Sequence, residues 1–139
     1  MTGEGAKRTG GRWNRPGRAL RYTSSSIALA CLETIAHLNG GDLPLSRYLV
    51  RLDVPDRVRT RARRLGGAGG TGWDALPAGK LGPDLGDAWL DAGGTALPCV
   101  PSVIVPEAFN VLIDPAHAGA RESRAAELRR WRHDARVGA

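Results

Sequence analysis

The chain has 139 residues, 42% of them hydrophobic, and a net charge of +6. This length allows one compact domain with a core of its own. No apolar run approaches the ~20 residues that cross a bilayer, and we see no signal peptide, so we expect a soluble cytoplasmic protein. All but two of the 20 basic residues are arginine. Because the planar guanidinium suits phosphate, this composition favours partners that carry phosphate.

The first 18 residues are polar, glycine-rich and basic, which predicts a loop. Within it, "GGRWN" (10–14) places Arg12 directly after two glycines. Such a stretch is typical of an arm that binds nucleic acid, and equally of a loop that binds the phosphates of a dinucleotide. The rest of the chain has to decide between them.

The next two elements are a short strand and the clearest helix in the chain. "LRYT" (20–23) has the pattern of a strand, and a run of serines ends it. The segment "SIALACLETIAHLNGG" then predicts a helix that begins near Ser26, a good N-cap, and ends at Asn39 and Gly40.

This helix is apolar around most of its circumference. At about 100° per residue, only Glu33, Thr34 and His37 fall outside the apolar arc. A helix of this kind is expected to be buried, which would place Glu33 and His37 in a crevice. The alternative is that the gap faces solvent and the two side chains form a surface pair. A metal site there is disfavoured, because no third ligand and no HExxH motif is present.

The middle of the chain predicts a strand, two short helices and a loop. "SRYLVRLDVP" (46–55) alternates as a half-buried strand does, and the arginine-rich residues 56–64 favour a short helix. "GGAGGTG" (66–72) lacks the GK[ST] ending of a phosphate-binding loop and predicts a flexible connection. "PDLGDAWLDAGG" (83–94) has the proline start and glycine end of a helix.

The last third of the chain predicts strand-like pieces and a charged end. Strands are expected at 95–102, 102–106 and 109–115, and a charged helix or tail at 122–136. Strands and helices are mixed without strict alternation, which predicts an α+β domain with a mixed sheet and few helices.

Other candidate sites have ordinary structural interpretations. Cys31 and Cys99 have no CxxC spacing, which favours two small buried residues over a disulfide or a metal site. Ser102 has no GxSxG motif around it and is expected in a turn. The basic run 57–64 and the tail with Trp131 fit a solvated surface, or a surface that binds nucleic acid.

Four segments in order resemble the RES domain, the toxin half of bacterial RES–Xre toxin–antitoxin systems. They are "GEGAKRTGGRWNRPG", "LRYTSSSIALACLETIAHL", "LGDAWLDAG" and "VPSVIVPEAFNVLIDPAH". The resemblance implies a single small domain similar to the ADP-ribosyltransferase fold over residues 1–118, followed by a charged helix or tail over 119–139. Family members usually carry a first strand before the glycine-rich loop, and we expect this chain to lack it.

The resemblance also implies an active site. The family's arginine, tyrosine, glutamate and serine fall at Arg12, Tyr22, Glu33 and Ser102. As implied roles, Arg12 binds pyrophosphate, Tyr22 stacks on a ring, Glu33 stabilises an oxocarbenium-like ribose and Ser102 orients the ribose or the acceptor. Trp13 would shape the loop, as would the asparagine after it. No metal or resident cofactor is expected.

The implied activity is the depletion of cellular NAD by breaking the nicotinamide–ribose bond, with water or inorganic phosphate as acceptor. The implied partner is an Xre-type helix-turn-helix antitoxin, through which alone the protein would contact DNA, and a homodimer is a further expectation. The competing interpretation is a basic nucleic-acid-binding module or an inactive RES-like interaction module, in which Glu33 is structural.

Overall fold

The computed structural model describes residues 2–38, 47–66, 72–134 and 136–137. The helices and strands in these ranges follow one another along the chain. They are α1 (Glu4–Thr9), β1 (Arg21–Ser24), α2 (Ile27–Ala36), β2 (Arg47–Asp53), α3 (Asp56–Arg59), β3 (Arg63–Arg64), α4 (Leu81–Ala92), β4 (Pro98–Pro101), β5 (Phe109–Ile113), α5 (Ala118–Arg121) and β6 (Arg124–Trp131). None of these described helices combines the length and apolar character needed to cross a membrane.

The strands form a mixed sheet and a separate ribbon. The sheet has the order β1-β5-β4-β3, in which β3 runs parallel to β4 and the other neighbours are antiparallel. β2 and β6 form an antiparallel ribbon whose register shifts between Leu49 and Val50. The predicted α+β class with a mixed sheet is therefore confirmed.

Both faces of the four-stranded sheet carry a core. Successive side chains of a strand point to opposite faces, so the neighbours Leu112 and Ile113 enter different clusters. The first cluster contains Trp13, Leu20, Trp89, Val100 and Leu112, and the second contains Val58, Ala96, Leu97, Ile113 and Ala120. The first cluster joins the sheet to α4 and to the loop that follows α1.

Two glycines of α4 let this loop lie directly on the helix. A Cβ atom on Gly82 would lie 2.2 Å from the carbonyl oxygen of Arg12, and one on Gly86 would lie 1.7 Å from that of Trp13. Residues four apart share one face of a helix, so this pair forms a groove for the loop backbone. The spacing of the two glycines is visible in the sequence as "GPDLG". That they form a groove is known only from the loop that lies in it.

Ion pairs accompany this contact. Arg15 pairs with Asp84 and Asp87, and Arg18 pairs with Asp91 at 2.8 Å. Ion pairs as exposed as these are screened by water and contribute little to stability. The close backbone packing on α4 therefore holds the loop more firmly than the charges do.

Several predicted elements are confirmed. β1, β2 and β5 lie within the strands predicted at 20–23, 46–55 and 109–115 to within a residue, and α4 overlaps the helix predicted at 83–94. The helix predicted at 56–64 is confirmed only at its start, since α3 ends at Arg59 and residues 63–64 form β3. Ser26 is the N-cap of α2, and its side chain accepts a hydrogen bond from the Leu29 N–H. The predicted end at Asn39 and Gly40, and most of the loop predicted at 66–72, lie outside the described residues.

Three secondary-structure predictions are wrong. Residues 4–9, predicted as loop, form α1, and residues 102–106, predicted as a strand, form a turn. The charged helix or tail predicted at 122–136 is instead strand β6 over most of its length, because hydrogen bonding to β2 overrides a sequence with interspersed charges. The division of the chain near residue 118 stays a prediction.

The predicted burial of α2 is also wrong. Leu29 is its one buried residue, whereas Ile27 and Leu32 are 51% and 39% exposed. Its other apolar residues are half-buried or exposed, so a helical wheel that is apolar around most of its circumference does not imply burial here. Cys31 and Cys99 are likewise half-buried free thiols rather than fully buried residues.

The α4 groove gives a stability test. Gly86→Ala places a methyl group where the Trp13 carbonyl lies, and we expect a loss of about 1–3 kcal/mol in the free energy of unfolding from overpacking. Gly5→Ala is the matched control, because nothing lies within 4 Å of a Cβ there. Urea denaturation of both variants measures the difference. Wild-type stability in Gly86→Ala would contradict the packing described.

Candidate active site

Glu33 and Ser102 meet at one end of the sheet. Ser102 follows β4, is 1% exposed, and donates its hydroxyl proton to Glu33 Oε1 at 2.8 Å. Its oxygen accepts from the backbone N–H groups of Ile104 and Val105, both at 3.1 Å. Because a hydroxyl has one proton and two lone pairs, the two N–H groups occupy the acceptor side and leave the proton for Glu33. Ser102 is thus the expected turn residue, and it also contacts the candidate carboxylate.

Asn110 and Ser24 extend this contact. Asn110 Nδ2 donates to Glu33 Oε1 at 2.6 Å, and the Ser24 hydroxyl donates to Asn110 Oδ1 at 2.7 Å. Ser24 and Asn110 are opposite each other in the β1–β5 register. The sequence analysis missed both residues. The available signal was one polar side chain within the apolar strand "FNVLI".

His37 takes no part in this contact. It is exposed, and its Nδ1 lies 2.6 Å from the backbone oxygen of Glu33 rather than from the carboxylate. The interpretation of Glu33 and His37 as a surface pair is therefore wrong. Glu33 is half-buried and faces the sheet, as the crevice interpretation expects.

Tyr22 forms a second group of contacts on β1. Its hydroxyl accepts from the Trp13 N–H at 3.1 Å and donates to Asn14 Oδ1 at 2.6 Å. Gly11 makes room for it, since a Cβ there would lie 2.6 Å from the Tyr22 oxygen. The tyrosine as a whole is 41% exposed, so its ring remains accessible although its hydroxyl is enclosed.

This enclosure changes the acidity of the phenol. Burial raises the pKa of Tyr22 to about 12, against smaller opposing effects from the Trp13 N–H and the positive charge of Arg12. Tyr22 is therefore a neutral hydrogen-bonding group at physiological pH.

Asn14 fixes the loop beneath Tyr22. It is 1% exposed, and its Nδ2 donates to the backbone oxygens of Ala6, Arg15 and Arg18. Together with the buried indole of Trp13, it shapes the loop, as expected from the sequence.

Arg12 is partly committed to the protein itself. Its Nη1 donates to the backbone oxygens of Trp73 and Ala75, both at 3.0 Å. Among the described residues, its Nη2 and Nε have no hydrogen-bond partner. These are the donors that remain for a ligand.

The two groups of contacts lie along one face of the sheet. Tyr22 and Ser24 are two residues apart on β1, so their side chains share a face and are separated by about 7 Å along the strand. Their partners in the register are Leu112 and Asn110, and Leu112 belongs to the first core cluster. Of the four predicted site residues, only Glu33 and Ser102 share a direct hydrogen bond within the described chain. Arg12 precedes Trp13, whose N–H donates to the Tyr22 hydroxyl.

A separate pocket lies between α2 and the β2–β6 ribbon. Its walls include Ile27, Cys31, Tyr48, Trp131 and His133, and none of the four predicted site residues. The Arg129 guanidinium covers one face of the Trp131 ring at 4.8 Å from its centroid. No group of three histidine, cysteine or acidic residues within the described ranges is placed to hold a metal ion.

Comparison with known proteins places this geometry in a family. Residues 1–134 match the family model described as "RES domain". A protein of Sphingobium sp. named "Prs ADP-ribosylating toxin" is 51% identical over 99% of this chain and 86% of its own. Proteins named "Toxin Res" from Yersinia enterocolitica and Pseudomonas putida are each 34% identical, over 84% and 89% of this chain and 75% and 83% of their own.

The enclosure of the Tyr22 hydroxyl predicts its titration. Because the folded pKa is raised above the ordinary tyrosine value of about 10, the stability linked to the neutral phenol is complete below pH 10 and is lost as the pH rises through about 12. The difference in tyrosinate absorbance between wild type and Tyr22→Phe should show a midpoint near pH 12, with circular dichroism reporting whether the chain stays folded. A midpoint near 10 in folded protein would contradict the enclosure.

Proposed function

Since this chain belongs to the RES domain family, we propose that it is a toxin that cleaves the bond between nicotinamide and ribose in NAD. The observation that carries the proposal is the half-buried carboxylate of Glu33, held at one oxygen by Ser102 and Asn110 at one end of the sheet. The names of the relatives support the toxin role.

The chemistry of this cleavage needs a fixed negative charge. Breaking the nicotinamide–ribose bond develops positive charge on the ribose, as glycoside cleavage does. Within the described residues, Glu33 Oε1 accepts both hydrogen bonds, which leaves Oε2 for a ribose hydroxyl or the developing cation. A charge held in place before the reaction stabilises the transition state without reorganisation.

The neighbouring face offers binding groups for the rest of NAD. The accessible ring of Tyr22 provides a flat surface for the nicotinamide or the adenine. The Nη2 and Nε donors of Arg12, which have no partner among the described residues, suit the pyrophosphate. The contacts of Arg12 Nη1 with residues 73 and 75 would hold the guanidinium in one orientation before the ligand binds.

Two classes of acceptor can complete the reaction. Water or inorganic phosphate would make the protein a glycohydrolase or a phosphorylase that depletes NAD. A protein acceptor is the second candidate, because the 51% identical relative is named as an ADP-ribosylating toxin. All begin with loss of nicotinamide, so they share Glu33 and differ only in what attacks the ribose.

A toxin of this kind needs a partner that restrains it. We propose that it acts in the cytoplasm and binds an Xre-type antitoxin, whose acidic groups would be drawn to the net charge of +6. DNA would then be contacted only through the antitoxin, and a homodimer of the toxin remains part of the proposal.

The nucleic-acid alternative finds less support. Single-stranded binding needs free aromatic faces between arginines, and one face of Trp131 already carries Arg129. A basic binding module would also have no use for a carboxylate with two donors directed at it.

Substitution of Glu33 tests the proposal. Glu33→Gln keeps the size and an acceptor for Ser102 but removes the charge, and we expect nicotinamide release to fall about 100-fold or more, the scale of one preorganised electrostatic group. His37→Ala is the matched control on the same helix and should retain near-normal turnover. Both variants should keep a cooperative melting transition.

Two outcomes would contradict the assignment of Glu33. Near-normal turnover in Glu33→Gln together with loss of activity in His37→Ala would place the chemistry elsewhere. Loss of the melting transition in Glu33→Gln would make Glu33 a structural residue. Intact NAD after incubation with folded wild-type protein, with and without phosphate and candidate protein acceptors, would refute the proposed activity itself.

The acceptor can be identified with NAD labelled in its adenylate half. Water gives free ADP-ribose, phosphate gives a phosphorylated ADP-ribose only when phosphate is added, and a protein acceptor carries the label into a macromolecule. We expect a small-molecule product with purified toxin alone. Label found only on added protein would favour the ADP-ribosylating alternative.

A further inference from the structure

We propose that Asn110 is a positioning residue that orients the Glu33 carboxylate, and that Ser24 completes this arrangement from the neighbouring strand. The inference rests on the proposed function, since it assigns a part in the same site. Its basis is the hydrogen-bond chain from Ser24 to Asn110 to Glu33, with distances of 2.7 and 2.6 Å.

The direction of this chain follows from chemistry. An ionised carboxylate only accepts hydrogen bonds, so the group of Asn110 that faces it must be the NH2 and not the oxygen. The amide oxygen then faces Ser24, whose hydroxyl must donate to it. Glu33 therefore fixes which way the Asn110 amide faces, and the amide oxygen fixes the direction of the Ser24 hydroxyl proton. In this arrangement no two acceptor oxygens face each other.

The strand register makes this arrangement rigid. Ser24 and Asn110 are directly opposed on antiparallel strands, and Asn110 is in turn opposite Val100 on β4. Asn110 thus lies on an inner strand with a neighbour on each side, where its backbone has little freedom. An amide held this way can fix a side chain that projects from α2, a helix with little buried surface of its own.

The consequence for Glu33 is that its two oxygens have different tasks. Ser102 and Asn110 both donate to Oε1, from the turn after β4 and from β5 respectively. Two donors on one oxygen set the rotation of the carboxylate and direct Oε2 toward the ligand. Loss of Asn110 should therefore reduce turnover more than NAD binding.

A spectroscopic test examines the contact without catalysis. In an amide-detected NMR spectrum of the full chain, the Asn110 side-chain NH2, assigned by its loss in Asn110→Asp, should have one strongly downfield proton. This shift should decrease in Glu33→Gln, where the acceptor is neutral. Ser25→Ala, a change at the exposed serine beside Ser24, should leave it unchanged. An ordinary amide signal that is indifferent to Glu33→Gln would overturn the proposal.

Kinetics separate positioning from a merely structural role. For Asn110→Ala we expect kcat for nicotinamide release to fall about 10- to 100-fold, the range for a hydrogen bond to a charged group, with little change in KM. Asn110→Asp keeps the size and the acceptor for Ser24 but opposes Glu33 with a like charge. At about pH 9, where two adjacent carboxyls both ionise, it should lose more turnover than Asn110→Ala.

The ranking of the variants decides the outcome. A structural role predicts that the isosteric Asn110→Asp is the milder change, and this order, in variants that melt cooperatively, would overturn the proposal. If Asn110→Asp does not fold, Asn110→Ala decides through its kcat and KM, with a change in KM alone counting against positioning. If wild type releases no nicotinamide, the proposed function fails, whereas the NMR signature still tests the contact.

Discussion

The paired hydrogen bonds from Ser102 and Asn110 to Glu33 Oε1 are the interaction on which the placement of α2 depends. The helix buries one residue, Leu29, and full burial of a leucine contributes about 1.5–3 kcal/mol. A hydrogen bond to a charged group contributes a similar amount, about 1.5–3 kcal/mol. The polar contacts of Glu33 are therefore of the same order as the burial of Leu29 in holding this helix, which couples its position to the proposed site.

A second constraint is the close approach of the glycine-rich loop to its surroundings. Gly11 leaves space for the Tyr22 hydroxyl, and Gly82 and Gly86 leave space for the backbone of residues 12 and 13. The loop can thus present Arg12 and hold Tyr22 at once, because Asn14 anchors it from below. The "GGRWN" stretch serves packing as much as ligand binding, which its sequence alone leaves open.

The sequence was informative where a local pattern determines the outcome. The serine cap of α2 depends on neighbours in the chain, and the structure has it as predicted. Residues 47–53 form a strand as predicted, but the expected alternation is not kept, because Tyr48 is 53% exposed and the register shifts between Leu49 and Val50. Asn110 and Ser24 could not be assigned, because their contact depends on the register of strands whose paired residues lie 86 positions apart. The prediction for residues 122–136 was wrong for a similar reason, since only the pairing of β6 with β2 distinguishes this segment from a charged helix. The burial of α2 was overestimated because a helical wheel shows which residues share a face of the helix. It does not show which other elements of the fold cover that face.

The central claim is that the ribose of NAD meets Glu33 on the sheet face bordered by Tyr22 and Arg12. The most direct measurement is a crystal structure of the Glu33→Gln variant with intact NAD bound. We predict a nicotinamide-ribose hydroxyl within hydrogen-bond distance of the side chain at position 33, with one ring of NAD on Tyr22. NAD bound instead in the pocket between α2 and the β2–β6 ribbon, away from position 33, would contradict the account.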